Sequence, residues 1–346
     1  MSKTMKALVK HHAGPGARLE QVPKPEPRAG EVLIKVSAAA ICGTDVHIYK
    51  WDDWSAGRIK PPLVFGHEFC GHVVELGPGV EDIAKGTRVT AEGHFVCGKC
   101  EFCRTGRGHI CRDVEIIGVD TAGCFAEYVR VPRSNIWVLD DDVPDNVAAI
   151  HDPYGNAVHA VLIDEIVGNT VLITGCGPIG LASIAIAKLA GATRVYASDV
   201  NPYRLELAQK MGADVTFNVS QDDMVATVLA ETDNLGVDVL LEMSGHPAAI
   251  NDGLRALKNG GWVSLLGITP EKKVSVDLND GIIFKGARVY GINGRLMYQT
   301  WYKMQALLRS GLDLAPMITH SFILDEFEQA FELAASGNSG KIILYP

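Results

Sequence analysis

The sequence predicts an α/β protein of two domains, one β-rich and one wound around a parallel sheet of six strands. Three observations predict it. The 346 residues exceed one ordinary core and suit two domains of about 150 residues each. From residue 5 to about 143, short β-type runs are broken by Pro and Gly clusters. From Gly168 onward the rhythm becomes strand, helix, strand, which a parallel sheet satisfies.

In the first part the β-type runs are 6–10, 31–40, 71–76 and 125–131. In the second, strands are expected at 170–174, 194–198, 215–219, 237–242, 262–266 and 288–290, with helices near 179–190, 202–211 and 247–257. After Gly294 come helical segments at 300–309 and 325–335 and a β-type end at 341–344, expected to pack back onto the first domain. The expected division is 1–155 with 295–346, and 156–294.

Composition narrows the function classes. With 47% hydrophobic and 21% charged residues, the chain has an ordinary globular balance. A net charge of −9 disfavours nucleic acid and anionic membranes as partners and favours small molecules. The longest apolar stretches, 178–190 and 237–243, fall short of the roughly 20 residues that cross a bilayer. The first sixteen residues lack the apolar run of an export signal, so a cytoplasmic location is expected. Eight cysteines in a reducing compartment point to metal binding rather than disulfides.

The strand at 170–174 runs directly into Gly175-Cys-Gly177-Pro-Ile-Gly180 and an apolar helix, and Asp199 closes the next strand 19 residues after the last glycine. This is the Rossmann dinucleotide fingerprint in its required context. Gly175 permits the tight turn, Gly177 lets the backbone approach a pyrophosphate, and Gly180 lets the helix pack closely. Asp199 would accept from an adenosine ribose and repel a 2′-phosphate, which favours NAD. Arg204, five residues later, could weaken that preference, stack on the adenine or remain a solvated helix charge.

Two sets of metal ligands stand out. Cys97, Cys100, Cys103 and Cys111 form C-x2-C-x2-C-x7-C in a Gly-rich loop, enough for a closed, structural tetrahedral zinc. Four thiolates would also suit an iron-sulfur cluster. The second set is dispersed: Cys42, His67-Glu68 and Asp152. One thiolate, one imidazole and one or two carboxylates can hold zinc and leave a position open, although a lone His-Glu pair or buried Cys is more often structural.

The run Gly66-His67-Glu68-Phe-Cys-Gly71-His-Val-Val-Glu-Leu-Gly77, the four-cysteine loop and the late Rossmann motif together resemble the zinc-containing medium-chain alcohol and polyol dehydrogenases. That resemblance covers nearly the whole chain. It implies a GroES-like catalytic domain ahead of the Rossmann domain, NAD as cofactor, two zinc ions per chain and a homotetramer. By position it implies Cys42, His67 and Glu68 as catalytic zinc ligands and Thr44 and His47 as a proton relay. It also implies NAD contacts from Ile179, Asp199, Arg204, Leu266, Gly267, Ile268, Ile292 and Asn293.

Residues 42–54, Asp152-Pro-Tyr-Gly-Asn-Ala-Val-His159 and Thr300-Trp-Tyr-Lys-Met resemble more narrowly the branch of that family that oxidises L-threonine. Some relatives carry a longer Glu at 152, so Asp152 is expected to act behind the ligands or in proton transfer at least as readily as on the metal. A threonine site must also pair a carboxylate and an ammonium. Arg295 is the candidate for the carboxylate, because guanidinium matches it in two parallel bonds, and His94 is expected to line the same cleft. A polyol or diol dehydrogenase, and a zinc-stabilised NAD-binding structural or regulatory protein, are the alternatives.

Overall fold

The computed structural model describes residues 3–269, 271 and 273–346. The chain forms two compact units, one ending at Asp152 and resuming over Ile318–Pro346, the other spanning Pro153–Met317.

In the first unit, strands Ile136–Val138, Arg88–Ala91, Glu68–Leu76, Glu31–Ala40, Lys341–Tyr345 and Ile318–Ile323 lie side by side in that order, and Tyr128–Pro132 also pairs with Glu31–Ala40. Glu31–Ala40 is the central strand, with Val32, Leu33 and Ile34 wholly buried, as apolar residues covered on both faces should be. Its far end fixes the register that matters. Ala40 faces Glu68 on one side and Ile343 on the other. The core beneath is aromatic: Phe65 meets Phe125 edge-on with ring centroids 5.2 Å apart, and Phe331 closes on both. Helix Gly43–Lys50 follows the central strand, started by an extended Cys42 whose N–H donates to Asp45 Oδ2 at 2.9 Å.

In the second unit, six parallel strands run in the order Val215–Asn218, Arg194–Asp199, Thr170–Thr174, Val237–Glu242, Leu257–Leu265 and Arg288–Gly291. The expected six-stranded Rossmann sheet is therefore present. Val171, Leu172, Ile173, Val239, Leu240 and Leu241 are wholly buried in its two middle strands. Strand order reverses between Thr170–Thr174 and Val237–Glu242, and such a switch point opens a ligand crevice at the carboxyl ends of the strands.

Residues 295–317, expected with the first domain, lie in this second unit, and the division comes at Asp152 inside helix His151–Val161. Hydrogen bonds supply the reason. Tyr154 Oη donates to Met304 O at 2.8 Å, and Arg295 Nη1 to Asn156 Oδ1 at 3.2 Å. These tie helix Gln299–Arg309 and the chain before it to helix His151–Val161. Only Ile318–Pro346 returns to the first unit, through strand Lys341–Tyr345. Among the described residues, no helix is long and apolar enough to cross a membrane.

Candidate active site

The four-cysteine loop closes on itself. Sγ atoms of Cys100 and Cys103 lie 3.5 Å apart, Cys97 and Cys111 3.5 Å, and Cys100 and Cys111 3.9 Å. A tetrahedron of zinc–sulfur bonds has edges of about 3.8 Å, whereas a disulfide needs about 2 Å. None of the eight cysteines is bridged. Backbone N–H groups of Cys97, Cys100 and Asp113 point at these sulfurs at 3.4 Å, and hydrogen bonds from the backbone pull the Cys100 thiol down to about 6. Burial and the neighbouring sulfurs push the Cys103 thiol up to about 12, so without a cation the cluster keeps a proton that a bound metal ion would displace.

The dispersed set also converges. Cys42, His67 and Glu68 each bring a ligand atom within 4.8 Å of the others'. His67 and Glu68 are buried; Asp45 Oδ1 lies 3.5 Å from His67 Nδ1 and Lys341 Nζ 2.5 Å from Glu68 Oε2, while Glu68 Oε1 is buried with no hydrogen-bond partner among the described residues. A buried acceptor left unpaired, as Glu68 Oε1 is, costs free energy unless something binds it. Burial alone would lower the His67 imidazole, but the Asp45 carboxylate and the Cys42 sulfur raise it well above its usual value. Groups that hold a proton on His67 would equally hold a divalent cation. Burial also raises the Glu68 carboxyl, against the pull of Lys341 and His67. The donors fit zinc, with three protein ligands and one position left over.

Asp152 lies beside this set and is not one of its three members. Its Oδ2 stands 3.6 Å from where a Cβ on Gly93 would be, and its charge reaches Glu68. His94 follows Gly93, with its N–H and Nδ1 3.0 and 2.9 Å from Oε1 of the fully buried Glu92. Thr44 and His47 share one face of helix Gly43–Lys50. His47 is exposed, its Nδ1 2.5 Å from Asp52 Oδ2.

In the second unit the predicted cofactor residues gather at the carboxyl ends of the parallel strands. Gly175 has φ +92°, which only glycine adopts freely. Gly177 caps helix Pro178–Leu189, and a Cβ on Gly180 would collide with Gly175 O. Ile179 lies in that helix's first turn, whose free N–H groups suit phosphate. Asp199 ends the second strand and accepts from Cys176 N and Asn201 N at 2.8 and 2.9 Å. Arg204 Nη1 stands 4.0 Å from Asp199 Oδ2. Leu266, Gly267 and Ile268 follow the fifth strand, Ile268 91% exposed, and Ile292 and Asn293 follow the sixth. Arg295 is buried against the bare Cα of Gly155 rather than solvated.

Sequence reasoning missed three polar residues here: Asp45, Asp52 and Lys341. Asp45 had a signal, since an acid three residues after an N-cap closes a capping box. Lys341 had none, being 273 residues away from Glu68 in sequence.

The alcohol dehydrogenase GroES-like domain family matches residues 28–141, and the zinc-binding dehydrogenase family matches residues 178–310. The L-threonine 3-dehydrogenase of Symbiobacterium thermophilum is 51% identical over 100% of this chain and 99% of its own length. That of Bacillus subtilis strain 168 is 51% identical, with the same coverage. Among solved structures, a zinc-binding dehydrogenase from Sinorhizobium meliloti 1021 bound to NADP superposes with a TM-score of 0.91 at 34% identity, over 100% of both chains. The chain belongs to the zinc-binding alcohol dehydrogenase family, with a GroES-like domain ahead of its nucleotide-binding domain.

Proposed function

We propose that the chain oxidises the secondary hydroxyl of L-threonine to 2-amino-3-oxobutanoate, with NAD as hydride acceptor. The observation that carries the reading is the convergence of the half-buried Cys42 with the buried His67 and Glu68, whose ligand atoms lie within 4.8 Å of one another, in a chain about half identical to L-threonine 3-dehydrogenases over its whole length. Zinc at that set would acidify an alcohol hydroxyl, and NAD would accept the hydride.

The chain's own groups handle the proton and the charges. Thr44 accepts a proton and donates another through one hydroxyl, and His47, being exposed, hands it to water. Asp152 adds negative charge beside Glu68 and serves proton transfer rather than ligation. Arg295 is assigned to the substrate carboxylate and His94 to the same substrate site. Asp199 favours NAD over the NADP that the Sinorhizobium meliloti protein holds.

Assembly as a homotetramer belongs to the same reading. It is supported by the edge strand Arg288–Gly291, beside which Phe284 is 73% exposed. A cytoplasmic location is supported by the eight unbridged cysteines.

The test is NADH formation over a panel of L-threonine, 2,3-butanediol and sorbitol. A site that pairs two substrate charges should reject alcohols that lack them. Higher kcat/KM for 2,3-butanediol or sorbitol than for L-threonine would replace the threonine reading with the polyol one.

A further inference from the structure

His47 is held by more than its helix. The chain leaves helix Gly43–Lys50 at Trp51, in a left-handed conformation with φ 61°, and Trp51 N–H donates to His47 O at 2.9 Å. This turn carries Asp52 back against the imidazole, Oδ2 2.5 Å from Nδ1. The other carboxylate oxygen, Oδ1, accepts Ser55 N–H at 3.0 Å as the cap of helix Asp53–Arg58. Trp54 packs edge-on to the imidazole, centroids 6.4 Å apart. Lys10 braces the turn, with Nζ donating to Tyr49 O at 3.3 Å and lying 4.9 Å from the Trp51 ring centre.

We propose that Asp52 is a positioning residue of the proton relay, fixing His47 as the Nδ1–H tautomer so that Nε2 carries the lone pair that receives the proton. The proposal rests on the relay reading given above. An ionised carboxylate only accepts, so the hydrogen between the two groups belongs to Nδ1 and the lone pair of the neutral ring to Nε2. The substrate hydroxyl proton passes to Thr44 Oγ1, whose own proton passes on through water to Nε2. The ring is then a cation with hydrogen on both nitrogens, and the Asp52 charge stabilises it. Loss of the Nε2 proton to water restores the starting tautomer. His47, 60% exposed, has that water at hand. Burial alone would raise the Asp52 carboxyl, but hydrogen bonds from Ser55 and His47 hold it below its usual value, so it stays charged at neutral pH.

The rival explanation is that Asp52 only caps helix Asp53–Arg58. Asn caps about as well as Asp, so Asp52→Asn separates the two. Asn Oδ1 still accepts Ser55 N–H, while its amide nitrogen presents a donor to Nδ1 and drives the hydrogen to Nε2.

In the zinc-loaded enzyme, nitrogen NMR of the histidine side chains should show His47, identified by its loss in His47→Asn, as Nδ1–H in the wild type and Nε2–H in Asp52→Asn. With L-threonine, kcat should fall roughly tenfold or more while KM and the melting temperature hold. An unchanged tautomer or an unchanged kcat in Asp52→Asn, with His47→Asn impaired, leaves the relay standing and overturns the role of Asp52. An unchanged kcat in His47→Asn removes the relay itself, and the proposal with it.

Discussion

Lys341 Nζ stands 2.5 Å from Glu68 Oε2, with both side chains at most 1% exposed. It is an ion pair rather than an aligned hydrogen bond, because neither Glu68 oxygen has a hydrogen-bond partner among the described residues. Lys341 Nζ also donates to Ile41 O at 2.8 Å. The pair joins the last strand to the metal set, and in the zinc-free protein, where the Lys341 variants are compared, loss of the lysine leaves the buried Glu68 carboxylate without a cation. Lys341→Met is therefore expected to lower unfolding free energy by about 3–5 kcal/mol, read from urea denaturation, with Lys341→Arg retaining most of the stability. A Met variant as stable as the wild type would show that the pair is not needed.

Asp152 tests the division between ligand and bystander. Asp152→Asn keeps size and removes charge, so kcat with L-threonine should fall roughly tenfold or more while zinc content stays unchanged. Zinc loss would make Asp152 a ligand. Unchanged activity would make it neither.

Cofactor choice should follow Asp199. Asp199→Gly removes the carboxylate and also frees Cys176 N–H and Asn201 N–H. The kcat/KM for NAD should drop about tenfold, equivalent to about 1.4 kcal/mol, and the gap to NADP should narrow. An unchanged NAD to NADP ratio would mean that the ribose contact lies elsewhere.

Acid should destabilise the first unit through His151. Burial pushes its imidazole down to about 4, below the 6.5 of an unfolded chain. The unfolded state then binds more protons between these values, so stability is full above pH 6.5 and lost as pH falls toward 4, by about 3 kcal/mol. Metal affinity also falls with acid, so the measurement is the difference between wild type and His151→Gln in urea midpoint against pH. Parallel curves would contradict the assignment.

The second unit was legible because its signals are local. A glycine fingerprint, an acid at a strand end and apolar runs bounded by turns each sit within one βαβ unit, and the six strands appear where they were expected. Helix His151–Val161 was not legible, because Pro153 and Gly155 interrupt its pattern. Pro153 sits in the first turn, where it needs no N–H partner, and the bare Cα of Gly155 leaves room for Arg295. Helix Met224–Glu231 carries a weaker local signal, its cap Asp223, whose Oδ1 accepts Ala226 N–H at 3.0 Å. In the site, Cys42, His67 and Glu68 were legible from the motifs that hold them, Asp45 and Asp52 were not although they sit beside those motifs, and Lys341 is brought in by sheet register alone. Lys341 reaches Glu68 only because Ile343 and Glu68 both flank Ala40.

The central claim is that Cys42, His67 and Glu68 hold a zinc on which activity depends, apart from the four-cysteine zinc. The most direct test counts zinc per chain and assays NAD reduction by L-threonine in fully loaded wild type and Cys42→Ala. The expected result is two zinc ions falling to one, with activity lost and the four-cysteine zinc retained. Two zinc ions retained in Cys42→Ala, or only one in the loaded wild type, would contradict it.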